Sequence, residues 1–269
     1  VSAPAAASTP AVLARGGSVP AVAWAIVRRN LIGIGRMPSA LVPSLIFPVF
    51  GTIAFASVYG AAIQQYFPDL PRMNWYVPLN VLQGAAFGSV FLAFATIRDF
   101  QTGIFDRFLA APTARVSVLV GYLFTAMLRS LLPFVLVVAI GFAGGASLPG
   151  GIGALGMLLL GTMAVALIGV CWGLGLAFRF KSMSAAPLMQ VGVFVLVFLS
   201  ESQVPAEGLS GWLKWVSAVN PATRLLRMGR QGYLHDITWA ETWPGLLAFV
   251  GLFALVAGFA VRGLRKLVP

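Results

Sequence analysis

Histidine and cysteine are almost missing from this sequence, with one of each in 269 residues. Cys171 can form no disulfide within the chain, and His235 has no second His or Cys near it, so zinc-type sites are excluded. Acids are scarce as well, 7 Asp and Glu against 18 Lys and Arg, and no acid pair or Ser–His arrangement stands in an apolar run. No Gly-x-x-x-x-Gly-Lys-Ser/Thr pattern occurs, so the chain has no phosphate-cradling loop of its own. These absences argue against an enzyme and against a bound cofactor. Charged residues make up only 9%, where a soluble domain typically carries about 25%.

What fills the chain instead is apolar length: 59% hydrophobic residues and a mean hydropathy of +0.92. Crossing a hydrocarbon core of about 30 Å takes about 20 apolar residues. Six runs qualify, at 40–63, 77–97, 116–143, 152–178, 182–199 and 243–261. The fifth is the shortest and carries Pro187 near its start. The net charge of +11 is not a nucleic-acid patch, because the basic residues sit at the ends of these runs. With the N-terminus inside, Arg15, Arg28, Arg29, Arg36, Arg98, Arg107, Arg115, Arg179, Lys181, Arg262, Arg265 and Lys266 are inside. Only Arg72, Lys214, Arg224, Arg227 and Arg230 are outside, and Arg129 lies within a span. This asymmetry predicts an N-in, C-in chain.

Residues 1–19 are rich in Ala, Ser, Pro and Gly and are expected to be a disordered tail. In 20–38, Trp24, Val27, Leu31 and Ile34 recur at helical spacing, with Arg29 and Arg36 on the far side. That pattern predicts a helix lying in the inner interface, its arginines on lipid phosphate. The six-span domain then occupies 39–269.

Between the second and third spans stands a charged, amphipathic stretch, 98–112. On a helix from Arg98, the apolar Phe100, Ile104, Phe105 and Phe108 share a side, Asp99, Asp106 and Arg107 lie elsewhere, and Pro112 ends it. Such a surface between two spans is one that a soluble partner can push on. Here the chain resembles a known family. Thr102-Gly103-Ile104-Phe105-Asp106-Arg107-Phe108, Pro112, Arg115 and Val118-Leu119-Val120-Gly121 are similar to the signature loop of ABC-2 type permeases, closest to the daunorubicin-resistance branch of bacterial drug exporters. Val204-Pro205, Gly211-Trp212-Leu213 and Val219-Asn220-Pro221-Ala222-Thr223 with Arg227 resemble that family's external segment between spans five and six. Leu109-Ala110-Ala111 and the arginine-rich run 224–230 depart from the usual pattern.

The resemblance implies an all-α permease subunit of an exporter in the bacterial plasma membrane, moving hydrophobic or amphipathic compounds. ATP and Mg would sit on a separate ATPase subunit, and a second permease subunit, the same or a sister chain, would complete the transporter. It further implies that Arg98–Phe108 is the coupling helix, with Asp106 and Arg107 touching the ATPase, Phe105 and Phe108 as apolar anchor, and Arg98, Asp99 and Gly103 in support. Short helices re-entering the outer leaflet would cap the pathway, carrying Trp212, Trp215, Asn220, Pro221, Arg224 and Arg227. The residues themselves support two of these roles: the tryptophans suit an interface, and Asn220-Pro221 reads as a cap followed by a first helical residue. The arginines are equally suited to anionic lipid.

Within the spans, Arg129 is the one midway charge, with Asp99 and Glu201 as conceivable partners. Asn80, Gln83 and Gln190 are expected to hydrogen-bond between helices. Pro43 and Pro48 are expected to kink the first span. Gly169–Gly173 and 141–145 are small-residue patterns that permit close helix packing. Related permeases also move glycolipids and polysaccharides, an open alternative for the cargo. An ion-gradient transporter is a second reading, disfavoured because no acid lies mid-span.

Overall fold

A computed structural model describes residues 18–36, 42–105 and 115–267. Among them are nine α-helices and no strand: α1 (Val19–Arg36), α2 (Val42–Gln64), α3 (Met73–Gln101), α4 (Arg115–Ala143), α5 (Gly153–Phe180), α6 (Ala186–Phe198), α7 (Gly211–Val219), α8 (Pro221–Leu234) and α9 (Trp239–Arg265). Five of them, α2, α3, α4, α5 and α9, are long and apolar enough to cross a membrane.

The run at 182–199 behaves differently from the expected fifth span. After Lys181 the chain makes a 3-10 turn, Met183–Ala185, capped by the Ser182 hydroxyl, before α6 begins. Thirteen residues of α-helix reach about 20 Å, short of a 30 Å core. The segment still runs from one end of the bundle to the other. Lys181 stands 5.9 Å from the Phe100 ring at the arginine-rich end, and Ser202 and Gln203 bond to Trp75 and Tyr76 at the opposite end.

α3 is the centre, 89% buried over its apolar window, against 17% for α9. Its sequence explains why. Asn74, Asn80, Gln83, Ser89, Thr96 and Asp99 are polar and all buried, while Gly84, Ala85, Ala86 and Ala93 let neighbours come close. Gly169 and Gly173 of α5 lie against Ser89 and Ala93 of α3, so this small-residue pattern packs two helices of one chain. Gly84 sits between Pro48 of α2 and Pro133 of α4. Only Pro48 is interior to α2; Pro43 falls in its first turn, where no backbone donor is lost. α8, although polar in sequence, is inserted among α3, α5 and α9, with Leu225, Leu226 and Met228 buried.

α1 packs on α4, with Ile26 against Gly121. Its buried side is Ala23, Ile26 and Val27, and Trp24 is 62% exposed, so the stripe expected through Trp24 is turned. The Arg29 guanidinium, expected on lipid phosphate, is bonded to Asp99 of α3, with its side chain still 36% exposed.

Candidate functional site

At the arginine-rich end, α3 stops at Gln101 and does not continue into the coupling stretch. Thr102 bonds back to the Arg98 carbonyl through its backbone N–H and its hydroxyl, each 3.0 Å. Gly103 then takes φ +68, the left-handed region that a glycine enters without penalty. Helical structure resumes at Ile104 and Phe105. The single helix expected from Arg98 is thus two pieces, with Arg98, Asp99 and Phe100 on α3 and Gly103 as the hinge. Asp106, Arg107 and Phe108, with Pro112, lie outside the described residues.

The hinge is held on several sides. Asp99 is buried, pairs with Arg29 of α1, and accepts a hydrogen bond from the Tyr122 hydroxyl of α4 at 3.3 Å. Phe105 is fully buried, 4.1 Å from the Phe100 ring and 5.6 Å from that of Phe178 in α5. Leu264 of α9 joins the same apolar cluster. Arg98 remains exposed. The stretch Asp99–Phe105, which begins on α3, therefore touches α1, α4, α5 and α9.

At the opposite end a polar knot ties the link after α6 to α3 and α8. Arg227 grips Glu201 with two hydrogen bonds, Nε to Oε2 at 2.7 Å and Nη2 to Oε1 at 2.6 Å. Arg230 is 2% exposed, donates to the carbonyls of Glu201 (3.1 Å) and Ser202 (3.2 Å), and lies 3.7 Å over the Trp75 ring. Trp75 Nε1 donates to the Ser202 carbonyl and the Tyr76 hydroxyl to that of Gln203, each at 3.1 Å. Bonding to Glu201 holds the Arg227 guanidinium above its ordinary pKa. Burial pushes Arg230 down to about 9, with Glu201 pulling the other way, so it stays cationic at neutral pH. Asn220 caps α8 by accepting from the Ala222 N–H at 2.9 Å, and its amide donates to the Leu196 carbonyl of α6 at 2.8 Å. Pro221 is the first residue of α8, and Arg224 is half-buried, 3.5 Å from the Ala218 carbonyl. Trp212 and Trp215 are 66% and 79% exposed.

Sequence reasoning placed Arg224, Arg227 and Arg230 on one helix in this region but missed Asn74, Trp75, Tyr76 and Glu201 as their framework. The available signal was the spacing Arg224–Arg227–Arg230 with Glu201 standing at the end of the fifth apolar run. Asn74 bonds both the Tyr233 carbonyl (2.7 Å) and the Ser147 hydroxyl (3.0 Å), joining three segments.

In the middle of the bundle, Arg129 is 7% exposed on α4. The acids considered as its partners belong to others, Asp99 to Arg29 and Glu201 to Arg227. Asn80 does not bond between helices: its amide donates to the Tyr76 carbonyl of its own helix at 2.8 Å, the short amide reaching one turn back more easily than across to α2. Gln190 is half-buried on α6. Gln83 is buried beside an apolar cavity of about 50 Å³ between α3, α5, α6 and α8. Among the described residues no group of three His, Cys, Asp or Glu side chains is placed to hold a metal.

Residues 21–234 match the family model for ABC-2 type transporters. No curated protein matches the chain.

Proposed function

The chain belongs to the ABC-2 type transporter family and is the membrane component of an ATP-binding-cassette transporter, with no ATPase site of its own, and from that premise we propose that it is the permease subunit of a bacterial drug or lipid exporter. A separate ATPase subunit docks at the arginine-rich end, on 98–108, and a second permease subunit completes the pathway. The chain sits in the plasma membrane with both termini inside, its α1 lying in the inner interface ahead of the membrane domain that begins at about residue 39.

The observation that carries this reading is the anchored hinge at Gly103. A docking segment transmits force only if its base is fixed to the spans, and here Asp99, Phe100 and Phe105 tie that base to five helices. Closure of the ATPase pair presses on the segment beyond Phe105, and the buried ring and the Arg29–Asp99 pair pass the displacement on. At the far end, the Glu201–Arg227–Arg230 knot closes the outer side of the pathway, with Trp212 and Trp215 in the outer interface. A gradient-driven carrier would call for ionisable groups in the middle of the spans, where this chain has Arg129 and no acid. Hydrophobic and amphipathic cargo suits the apolar interior better than polysaccharide.

The test is recovery of the chain in mild detergent with its partners identified by mass. A Walker-type ATPase in near-equal amount, lost when Asp106 and Arg107 are both replaced by alanine, is the expected result. A chain that purifies alone and drives gradient-dependent transport in vesicles without ATP overturns the proposal.

A further inference from the structure

Gln83 lies ten residues into α3 and is 1% exposed, yet neither its amide nitrogen nor its amide oxygen has a hydrogen-bond partner among the described residues. Its polar neighbours on the same helix each have at least one partner, although the Asn80 amide oxygen is left without one. Asn80 donates to Tyr76, and the Ser89 hydroxyl reaches the Ala85 carbonyl and, across to α5, that of Ala166. A buried primary amide that offers two donors and an acceptor to nothing is costly, and such groups call for an explanation.

The surroundings supply one. Gln83 lines the cavity of about 50 Å³, whose wall is made of aliphatic side chains from four helices: Leu82 and Ala86 of α3, Ile168 of α5, Val193 and Val197 of α6 and Leu225 of α8. No charged side chain lines it. The other polar side chain there, Ser200, already donates its hydroxyl to the Val197 carbonyl. A water molecule needs two to four polar partners to be held in such a space, and besides Gln83 this wall offers only the remaining acceptor capacity of the Ser200 hydroxyl. The floor on α3 and α5 is buried, whereas Leu196, Val197 and Ala222, on α6 and α8, are half-buried and form the mouth.

We propose that this cavity binds an uncharged amphiphile, a hydrocarbon body carrying one group that both donates and accepts hydrogen bonds, such as a carboxamide or hydroxyl, with Gln83 as its polar contact. The space takes the polar group and the first carbons, and the remaining chain leaves between α6 and α8. An ionised head is disfavoured, since no counter-charge lines the site to offset its desolvation. The assignment deepens the exporter reading by naming a contact for its cargo and its class, but binding requires neither ATP nor the ATPase, so the two proposals fail in different experiments.

The test uses the chain purified into phosphatidylcholine nanodiscs and octanamide with a terminal diazirine as photoprobe. Saturable labelling of Val193, Val197 or Leu225, resolved to the residue, is expected. Gln83→Leu should weaken apparent affinity for the amide about tenfold, the worth of ~1.4 kcal/mol, while labelling by the amide-free octane analogue is unchanged or tighter. Ala222→Leu, at the mouth, should reduce both. Because Gln83→Leu removes an unpaired buried amide, its melting temperature should hold or rise, which separates lost binding from lost folding. Competition by dioctanoylglycerol, an uncharged lipid with one hydroxyl, identifies a lipid as occupant and competition by unlabelled octanamide alone identifies a free small amphiphile; either supports the site, whereas competition by an ionised-head lipid alone overturns it. Non-saturable labelling, labelling confined to outward residues such as Val191 and Val195, or an amide affinity indifferent to Gln83→Leu overturns it.

Discussion

The two ends of the bundle are fastened in opposite ways. At the arginine-rich end, one ion pair, Arg29–Asp99, and a plug of packed rings hold the turn at Gly103. At the far end, two arginines of one helix are drawn into the protein and spend their hydrogen bonds on Glu201 and on the backbone beside it. The two ion pairs are equally solvated, with Arg29 36% and Arg227 35% exposed, and the difference between the ends rests on Arg230, which is almost wholly shielded. Buried hydrogen-bonded charge is rigid, because loosening any bond leaves an uncompensated ion. A half-exposed pair over an apolar plug yields at lower cost. On the proposed exporter reading, the arginine-rich end is an input end built to move and the far end an outer end that stays shut until the link is displaced.

The sharpest way to break this contrast is at Arg230. Arg230→Ala should cost about 3–5 kcal/mol of stability, read as a large drop in melting temperature in detergent, because it unpairs two carbonyls and uncovers Trp75. Arg230→Lys should not restore it, since a single ammonium cannot fork to both carbonyls. A variant that melts like the parent would show the knot to be ornamental. Next, Glu201→Gln should cost roughly 1–3 kcal/mol by weakening the two-pronged grip of Arg227, and a cysteine placed at Ser202 should then react faster with an impermeant thiol reagent. Unchanged reactivity would place the outer closure elsewhere.

The input end should behave in reverse, with small effects on stability and large ones on activity. Gly103→Ala forces a Cβ into the left-handed region at a cost of about 1–2 kcal/mol, with open space around it. Gly103→Pro demands φ near −65° and cannot be accommodated. Both should insert normally; the proline variant should lose transport and cargo-stimulated ATP turnover, and normal transport would refute the hinge. Smallest in stability is Asp99→Asn, about 1 kcal/mol, since Arg29 is partly solvated. Its transport should fall well beyond that figure and recover in part with Arg29→Gln.

Much of this was readable in advance. Apolar run length located five spans to within about four residues at each end. The polar ends of α3 extend further than its hydropathy, because Asn74 and Asp99 are held by partners on other helices. The fifth run is the exception, because composition is blind to the turn at Met183–Ala185 that leaves α6 a shorter apolar helix. At the site, Asn220-Pro221 named its own helix start, a matter of adjacent residues. By contrast, nothing local announced that Arg29 turns inward or that Gln83 goes unpaired.

Amino-acid order by itself determined that the chain is a multi-pass helical membrane protein, where most of its helices lie, and that it has no ATP-binding loop, because segment hydropathy, helix caps and motif spacing act over a few turns of chain. Only the tertiary structure decided which charges meet. Arg29 with Asp99, and Trp75 with Arg230, lie far apart in sequence, and such pairs form when helix packing has already removed water from between them.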